Sequence, residues 1–388
     1  MSPTVNIFGQ LLLFAVLLTA GGFFSYRVWR LYQPLLAAQP TVRRGDEGPN
    51  IRRVFTMVLG QSKMFERPAI GVAHFLIFWG FIILTVALLQ VIIDGLIHGV
   101  RLPIVSSRAY VALNDLLAIT VIVALAYAAF RRGRLRPRGL TTQPDAWIII
   151  AMIGGHLSSL LLAEGFAAAA FGTADPHWSL AGLVLGGPFG AFGETAARVG
   201  FVAFYWIHIL LVLGLLIFIP LSKHFHVFTS PVNVYLKGTR PKGELPMIAN
   251  IEEAEHFGVS KIQQFTWKDI LDGYACTECG RCTNACPANL TGKPLDPKKI
   301  IVDMRLSTYA QAGMQMAARH EPRTITAATP LIGEEGLIKD EELWACTTCM
   351  ACVEACPVAI EHVPKIVDMR RNLVLEETRF PAELTKVF

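Results

Sequence analysis

The sequence predicts an all-α protein in two parts, a bundle of five membrane-crossing helices followed by a soluble helical domain. Three observations carry that prediction. Of the 388 residues, 53% are hydrophobic, above a soluble average, and the apolar residues concentrate before about position 222. Five apolar segments in that region are each long enough to cross a hydrocarbon core of roughly 30 Å, which takes about 20 helical residues. All eight cysteines lie after that region, in two copies of one pattern. The expected parts are therefore residues 1–227 in the membrane, a linker over 228–258 and a soluble domain over 259–388.

The five segments run from about Val5 to Tyr26, Ala69 to Ile97, Val105 to Phe130, Ala146 to Phe171 and Ala196 to Leu221. The first has no basic residue before Arg27, so it lacks the charged start of a signal peptide and reads as a retained span. Orientation follows from the loops. The loop after span one carries Arg43, Arg44, Arg52, Arg53, Lys63 and Arg67, and the loop after span three carries Arg131, Arg132, Arg134, Arg136 and Arg138. The opposite side holds only Arg101, Arg108 and Arg198. The positive-inside rule then places the amino terminus outside and the cysteine domain in the cytoplasm of a multi-pass inner-membrane protein. The net charge of +5 is thus a membrane-edge charge and gives no reason to expect nucleic acid.

The cysteine pattern is Cys276-x2-Cys279-x2-Cys282-x3-Cys286-Pro287, returning as Cys346-x2-Cys349-x2-Cys352-x3-Cys356-Pro357. This is the bacterial ferredoxin signature, in which three close thiolates hold one cubane and the fourth reaches the other. Cys276, Cys279, Cys282 and Cys356 are expected to hold one 4Fe-4S cluster, and Cys346, Cys349, Cys352 and Cys286 the second. Structural zinc commonly uses two distant CxxC pairs, which is not this pattern. Disulfides would need an oxidising compartment, opposite to the one the loops indicate.

Histidine inside a span is costly and generally faces the bundle interior. The spans contain His74, His156 and His208, with His98, His224 and His226 at helix ends. His208 and His226 are 18 residues apart, five turns of one helix, so they share a face about 27 Å apart along its axis. Pro220 between them weakens that alignment. His156 and His208 lie at similar depths, as do His74 and His226. Two opposed imidazoles are what a low-spin b-type haem needs. The pairs His156 with His208 and His74 with His226 are therefore the candidate axial ligands, with His224 as the alternative to His226. The bland reading is that one or more of these rings satisfies a buried hydrogen bond or handles a proton.

Asp94, Asn114, Asp115 and Glu164 also lie in or beside spans. Each is either a proton carrier for quinol chemistry or an interhelical polar contact. The outer loop Gly172–Thr195, rich in glycine, reads as an irregular or re-entrant cover; no strand or following lysine makes it a phosphate loop. Beyond Phe228, Pro231, Gly238, Pro241, Gly243 and Pro246 punctuate a polar linker.

The soluble part contains a degenerate repeat. Ala275-Cys276-Thr277 returns as Ala345-Cys346-Thr347, and Ile301-Val302-Asp303-Met304-Arg305 as Ile366-Val367-Asp368-Met369-Arg370. The offsets are 70 and 65 residues, so the first half carries an insertion around Asn289 to Pro294. A helical pattern runs from Pro297 to about Arg319. Tyr274, Trp344 and Trp267 read as packing around the cysteine loops, and Gly280 as a loop residue that lets backbone N–H groups approach cluster sulfurs.

Two resemblances follow from these residues. Ala69-Ile70-Gly71-Val72-Ala73-His74, together with Trp206-Ile207-His208 and Ser222-Lys223-His224-Phe225-His226, is similar to the cytochrome b (gamma) subunit of respiratory nitrate reductase. That family has a second histidine in span two where this chain has Leu84; either His156 takes its place or the outer haem is absent. From Ser260 onward, Phe265-Thr266-Trp267 and the Cys276–Cys282 loop resemble heterodisulfide reductase-like iron-sulfur oxidoreductases. The 59 residues between Cys286 and Cys346 resemble the α-helical ferredoxin of that group. Such chains often continue into CCG domains with a further catalytic cluster, and here no cysteine is left over.

The resemblances imply an oxidoreductase subunit acting within a complex. Two 4Fe-4S clusters and one or two b haems would relay electrons between a cytoplasmic redox partner, an electron-transfer flavoprotein or CCG-domain protein, and quinone in the membrane lipid. The alternatives are a subunit passing electrons from quinol to a separate heterodisulfide/CCG-type catalytic subunit, or a haem relay without its own quinone site.

Overall fold

The computed structural model describes residues 3–4, 6–42, 47–105, 107–141, 143–172, 179–241, 243–248, 251–316 and 324–387. Val5, Arg43, Arg44, Arg319 and residues 173–178 of the outer loop lie outside the described residues. The architecture is all-α, and the extended pairing among the described residues consists of the isolated bridges Gln39–Thr266 and Ile332–Ile338. Five helices are long and apolar enough to cross a membrane, as a multi-pass protein requires. They are α1 (Ile7–Ala37), α2 (Pro68–Leu96), α3 (Arg108–Phe130), α4 (Pro144–Phe171) and, after the shorter α5 (Leu180–Gly190), α6 (Glu194–Phe218). The chain divides into two compact units. One comprises Met1–Ser25, Met64–Arg136 and Pro144–Phe218; the other comprises Tyr26–Lys63, Pro137–Gln143 and Ile219–Phe388.

In the first unit, Leu13 and Ala20 of α1 pack with Tyr205, Ile209 and Leu213 of α6. Leu84 of α2, Ala118, Val121 and Leu125 of α3, and Leu157 of α4 form a second core. Lipid is as apolar as leucine, so such helices gain by close fit. A Cβ at Gly80 would sit 2.5 Å from Val121 Cγ2, so only glycine allows that approach of α2 to α3. Phe166 stacks on Phe189 at 4.1 Å and on Phe204 at 5.6 Å between ring centroids.

Three sequence expectations change here. The first helix continues past Tyr26 to Ala37, with Pro34 inside it. The described part of the outer loop is helical rather than irregular: α5 starts at the N-cap Ser179, whose hydroxyl accepts from the Gly182 N–H at 2.9 Å. The last span reaches Leu221 as expected, but its α-helix ends at Phe218. Pro220 lacks the N–H that would continue the ladder, Ile219–Leu221 tighten into a 3-10 turn, and Ser222 is extended at φ −132°, ψ 171°. His208 and His226 therefore do not share one helix, and the five-turn alignment between them does not form.

The second unit contains α7 (His226–Tyr235), α8 (Trp267–Ala275), α9 (Arg281–Ala285), α10 (Pro297–Gln311), α11 (Ala351–Ala355) and α12 (His362–Arg371). The stretch beginning at Phe228, expected as linker, is thus helical as far as Tyr235, and Pro231 is accommodated inside it. The helix expected to reach Arg319 stops at Gln311. Helix α8 begins on a capping box, with Thr266 and Asp269 each bonding the other's backbone N–H at 3.3 and 3.2 Å. Its entry is held by the chain after α1: Gln39 N–H donates to Phe265 at 2.9 Å, and Trp267 N–H donates back to Gln39 at 3.1 Å. Trp267 Nε1 donates to Thr41 at 3.2 Å, and the Tyr274 hydroxyl to the Leu31 carbonyl at 2.8 Å. Tyr309 of α10 donates to the Pro220 carbonyl at 2.7 Å, an acceptor left over by the helix end.

At the centre lies Asp272, fully buried. Its Oδ1 accepts from Lys268 at 2.7 Å and from Asn233 of α7 at 2.8 Å. Its Oδ2 accepts from the Glu361 N–H at 3.2 Å and from Lys365 of α12. Lys365 also pairs with Asp269 at 2.8 Å, so two carboxylates face two ammonium groups. Burial alone would raise the Asp272 carboxyl, but Lys268 and Lys365 outweigh it and hold it well below the usual carboxylate range.

Removing one partner of such a buried group leaves the other charges uncompensated, at a cost of about 3–5 kcal/mol. Asp272→Ala is therefore expected to lower the unfolding temperature of the detergent-solubilised chain sharply, measured by thermal denaturation. Because the folded pKa is depressed, the stabilisation in the parent is complete above about pH 4 and disappears as the pH falls further. An unchanged melting temperature in the variant would refute this role.

Candidate metal centres

Each cysteine loop follows a helix or turn end. Helix α8 runs directly into Cys276, whose N–H bonds back to the Gly273 carbonyl at 3.3 Å; Cys346 N–H does the same with Leu343 at 3.2 Å. The loops then take the same path. Residues two and four places after the first cysteine are left-handed in both: Glu278 (φ +54°) and Gly280 (φ +74°), Thr348 (φ +57°) and Met350 (φ +61°). Alternation of handedness turns successive N–H groups into a concave nest, a geometry found at iron-sulfur sites. A left-handed residue other than glycine costs about 1–2 kcal/mol, so Glu278, Thr348 and Met350 are held there by the loops as a whole.

The crossed sets of thiols come together. Cys282 lies within electrostatic reach of Cys276, Cys356 and Cys279, and Cys352 within reach of Cys346, Cys286 and Cys349. Cys276, Cys279, Cys282 and Cys356 line one small cavity, beside Lys298 and His362. Helices α9 and α11 lie against each other, and Cys282 and Cys352 share an apolar cluster with Val363. Cys276, Cys282, Cys286, Cys352 and Cys356 are buried, whereas Cys349 is exposed.

The chemistry of these donors fits an iron-sulfur cluster. Burial pushes the Cys276 thiol up to about 11 and Cys352 up to about 12, and raises Cys282, Cys346 and Cys356 as well. Such thiols ionise only when a cationic centre takes the place of their protons. The thiolates would then find donors already aimed at them: Thr348 N–H lies 3.4 Å from Cys346 Sγ, and Ile360 N–H 3.4 Å from Cys356 Sγ.

Sequence reasoning missed what holds the first loop from outside. Arg138, Gly139 and Thr141 pack on it. A Cβ on Gly280 would lie 2.1 Å from the Gly139 carbonyl oxygen, and Gly139 is itself left-handed at φ +76°. Asn284 Nδ2 donates to the Arg138 carbonyl at 3.0 Å, Lys298 Nζ to the Gly139 carbonyl at 3.1 Å, and the Thr141 hydroxyl to the Glu278 carbonyl at 3.3 Å. Arg138 donates to Asn289 Oδ1 at 2.8 Å, within the insertion that distinguishes the first repeat. Gly139, directly after the basic run, was the available signal, and charge alone hid it. Trp267, Tyr274 and Trp344 pack, and Trp344 carries the Arg370 guanidinium 5.1 Å from its ring centroid.

In the membrane unit, His156 and His208 come together, with ring centroids 5.6 Å apart and planes at 55°. His156 Nδ1 bonds the Met152 carbonyl at 3.3 Å, and His208 Nδ1 bonds the His156 carbonyl at 2.8 Å. A carbonyl on Nδ1 fixes the tautomer that leaves the Nε2 lone pair for a metal. In the other unit, His224 and His226 have ring centroids 5.8 Å apart, and His226 Nδ1 bonds the Lys223 carbonyl at 2.9 Å. His74 lies on α2 in the first unit. His98 Nε2 bonds the Thr4 carbonyl at 2.8 Å, and Asp94 accepts from the Gly99 N–H at 3.4 Å. Asp115 and Glu164 meet at Ser179, whose hydroxyl is 3.2 Å from one and 3.1 Å from the other, and Asp115 accepts the Ala181 N–H at 3.0 Å. Asn114, which precedes Asp115 on α3, is buried.

A family profile described as a 4Fe-4S dicluster domain matches residues 275–360. The chain is 32% identical over 369 residues to the probable iron-sulfur-binding oxidoreductase FadF of Bacillus subtilis, covering 86% of this chain and 51% of that protein. It is 30% identical over 411 residues to the EtfAB:quinone oxidoreductase of Syntrophomonas wolfei, covering 99% of this chain and 57% of that protein. The chain thus spans about half the length of these relatives. It is also 32% identical over 120 residues to one component of a CoB-CoM heterodisulfide reductase of Methanosarcina acetivorans, covering 29% of this chain and 57% of that component. No solved structure matches. The homologues are iron-sulfur oxidoreductases, and the region they share with this chain includes the dicluster domain.

The close approach of Gly280 to Gly139 makes a sharp prediction. Gly280→Ala adds a Cβ onto the Gly139 carbonyl at a left-handed position, so thermal stability and iron retention are expected to fall together. Met350→Gly at the equivalent position relieves a left-handed residue and is expected to stay within about 1 kcal/mol of the parent. Equal tolerance of both would mean that the loop does not need this geometry.

Proposed function

We propose that this homologue of iron-sulfur oxidoreductases, with its 4Fe-4S dicluster domain, is a membrane-anchored subunit relaying electrons between a soluble redox partner and the quinone pool. The observation that carries the reading is the pair of crossed four-thiol sets, joined in one chain to five membrane-spanning helices. In this reading Cys276, Cys279, Cys282 and Cys356 hold one cluster, and Cys346, Cys349, Cys352 and Cys286 the other. His156 with His208 hold b haem in the part over residues 1–227, where His74, His226 and His224 are the further candidate axial ligands, ahead of a linker over 228–258 and a ferredoxin domain over 259–388. Bound clusters and haem supply one-electron carriers. The chain's own residues then hold and orient those carriers: thiolates fix the clusters, N–H groups such as those of Thr348 and Ile360 stabilise the sulfurs, and carbonyls on Nδ1 aim the imidazoles.

Oxidation of a quinol releases two electrons and two protons, and quinone reduction takes up both. Asp115 and Glu164, bridged by Ser179, are the buried carboxyls suited to receive or supply those protons. The basic loops support an outside amino terminus and a cytoplasmic dicluster part. The relative named EtfAB:quinone oxidoreductase supports quinone as the membrane substrate and an electron-transfer flavoprotein as the partner. Similarity to the heterodisulfide reductase component favours a second reading, in which electrons pass from quinol to a separate catalytic subunit of the CCG type.

The purified full chain is expected to contain four iron for each of two clusters, plus haem b detectable as the pyridine haemochrome. Cys356→Ser should remove the signal of one cluster and His208→Ala that of one haem, while added quinol reduces haem in the parent. Absence of haem b would sink the histidine assignments. Haem that no quinol reduces would leave a relay without its own quinone site.

A further inference from the structure

The repeated segments Ile301–Arg305 and Ile366–Arg370 each end in an arginine, and both arginines reach the same place in their own half. Arg305 Nη1 donates to the Cys276 carbonyl at 2.7 Å, and Arg370 Nη2 donates to the Cys346 carbonyl. The halves then diverge. Arg305 is buried to 1% exposure, and its Nη2 pairs with Glu278, two residues after Cys276. Two residues after Cys346 stands Thr348. Among the described residues Arg370 meets no carboxylate: its other contacts are the Leu343 carbonyl at 2.9 Å, the Trp344 carbonyl at 3.2 Å and the Trp344 ring.

We infer that Arg305 and Arg370 are equivalent positioning residues that clamp the first cysteine of each loop and set the two cluster potentials, and that Glu278 cancels the charge of one and not the other. The inference rests on the cluster assignment proposed above. Reduction adds one negative charge to a cluster. A guanidinium beside it stabilises the reduced form and raises the potential, and a carboxylate does the reverse, with little screening in a buried site. Arg305 with Glu278 is locally neutral, whereas Arg370 stands as one full positive charge. Arg281 and Lys298 add positive charge at the first cavity, and the substitutions below leave both in place.

The test is a redox titration of the full-length protein in detergent, with the two clusters resolved by electron paramagnetic resonance and iron measured in parallel. Glu278→Gln is expected to raise the potential of one cluster and leave the other where it was. Thr348→Glu, which places a carboxylate at the equivalent position of the second loop, should lower the potential of the other cluster. Arg370→Gln should shift that same cluster downwards, and Arg370→Lys should retain most of the parent value. Two intact clusters with unmoved potentials in Glu278→Gln and Thr348→Glu would overturn the inference, as would equal shifts of both clusters in either variant. A parent protein without two cluster signals would overturn the cluster assignment itself.

Discussion

A carboxylate sealed from water must find inside the protein the positive charge and the donors it gave up, and Asp272 meets that demand by drawing on three helices. Lys268 comes from its own helix α8, Asn233 from α7, and Lys365 with the Glu361 N–H from the start of α12. The Asn233 amide also donates to the Val358 carbonyl at 2.8 Å, two residues after Cys356. One buried charge therefore fixes the helix that delivers Cys276 and the segment that follows Cys356. These two residues belong to the same proposed ligand set although 79 intervening residues separate them. The ion pairs add little net stability over an apolar core. Their contribution is to make every other arrangement of these three helices cost an unpaired charge.

The cysteine loops show how much of such a site is made by backbone. Side chains supply the thiols, but the direction of the N–H groups depends on left-handed turns at matched positions, including three residues that carry a Cβ. Those turns are sustained from both sides: an arginine grips the carbonyl of each first cysteine, and Arg138, Gly139 and Thr141 press on the first of the two loops. The two loops share a backbone path and differ in charge and burial, so one repeat yields two inequivalent sites.

Patterns that act locally were legible in the sequence. The cysteine spacing and its repetition were legible, and with them the dicluster character of that region. Apolar runs foretold five long helices within a few residues at most ends, and similar depth foretold the approach of His156 to His208. What stayed hidden depends on contacts between distant segments. The continuation of α1 to Ala37 serves Tyr274 through Leu31, and the chain just beyond it serves Trp267, hundreds of residues away. The helix after Phe228 survives its proline because Asn233 is tied to Asp272. Arg305 and Arg370 were visible as a repeat, but nothing local says that a helix residue will reach back to a cysteine carbonyl. Pro220 marks a weak point in the last span, and the break there is complete because Ser222 turns extended.

The unit that holds the cysteines is assembled from three separated stretches of chain. Leu31, Gln39 and Thr41 from the first stretch, and Arg138, Gly139 and Thr141 from the second, supply bonding partners to residues between 265 and 298. Cutting the polypeptide ahead of residue 259 would separate the cysteine loops from these partners and leave the Tyr274 hydroxyl and the Trp267 indole without the acceptors they use. A fragment that keeps the cysteine loops with these bonding partners must therefore include the two earlier stretches as well as the residues after 259.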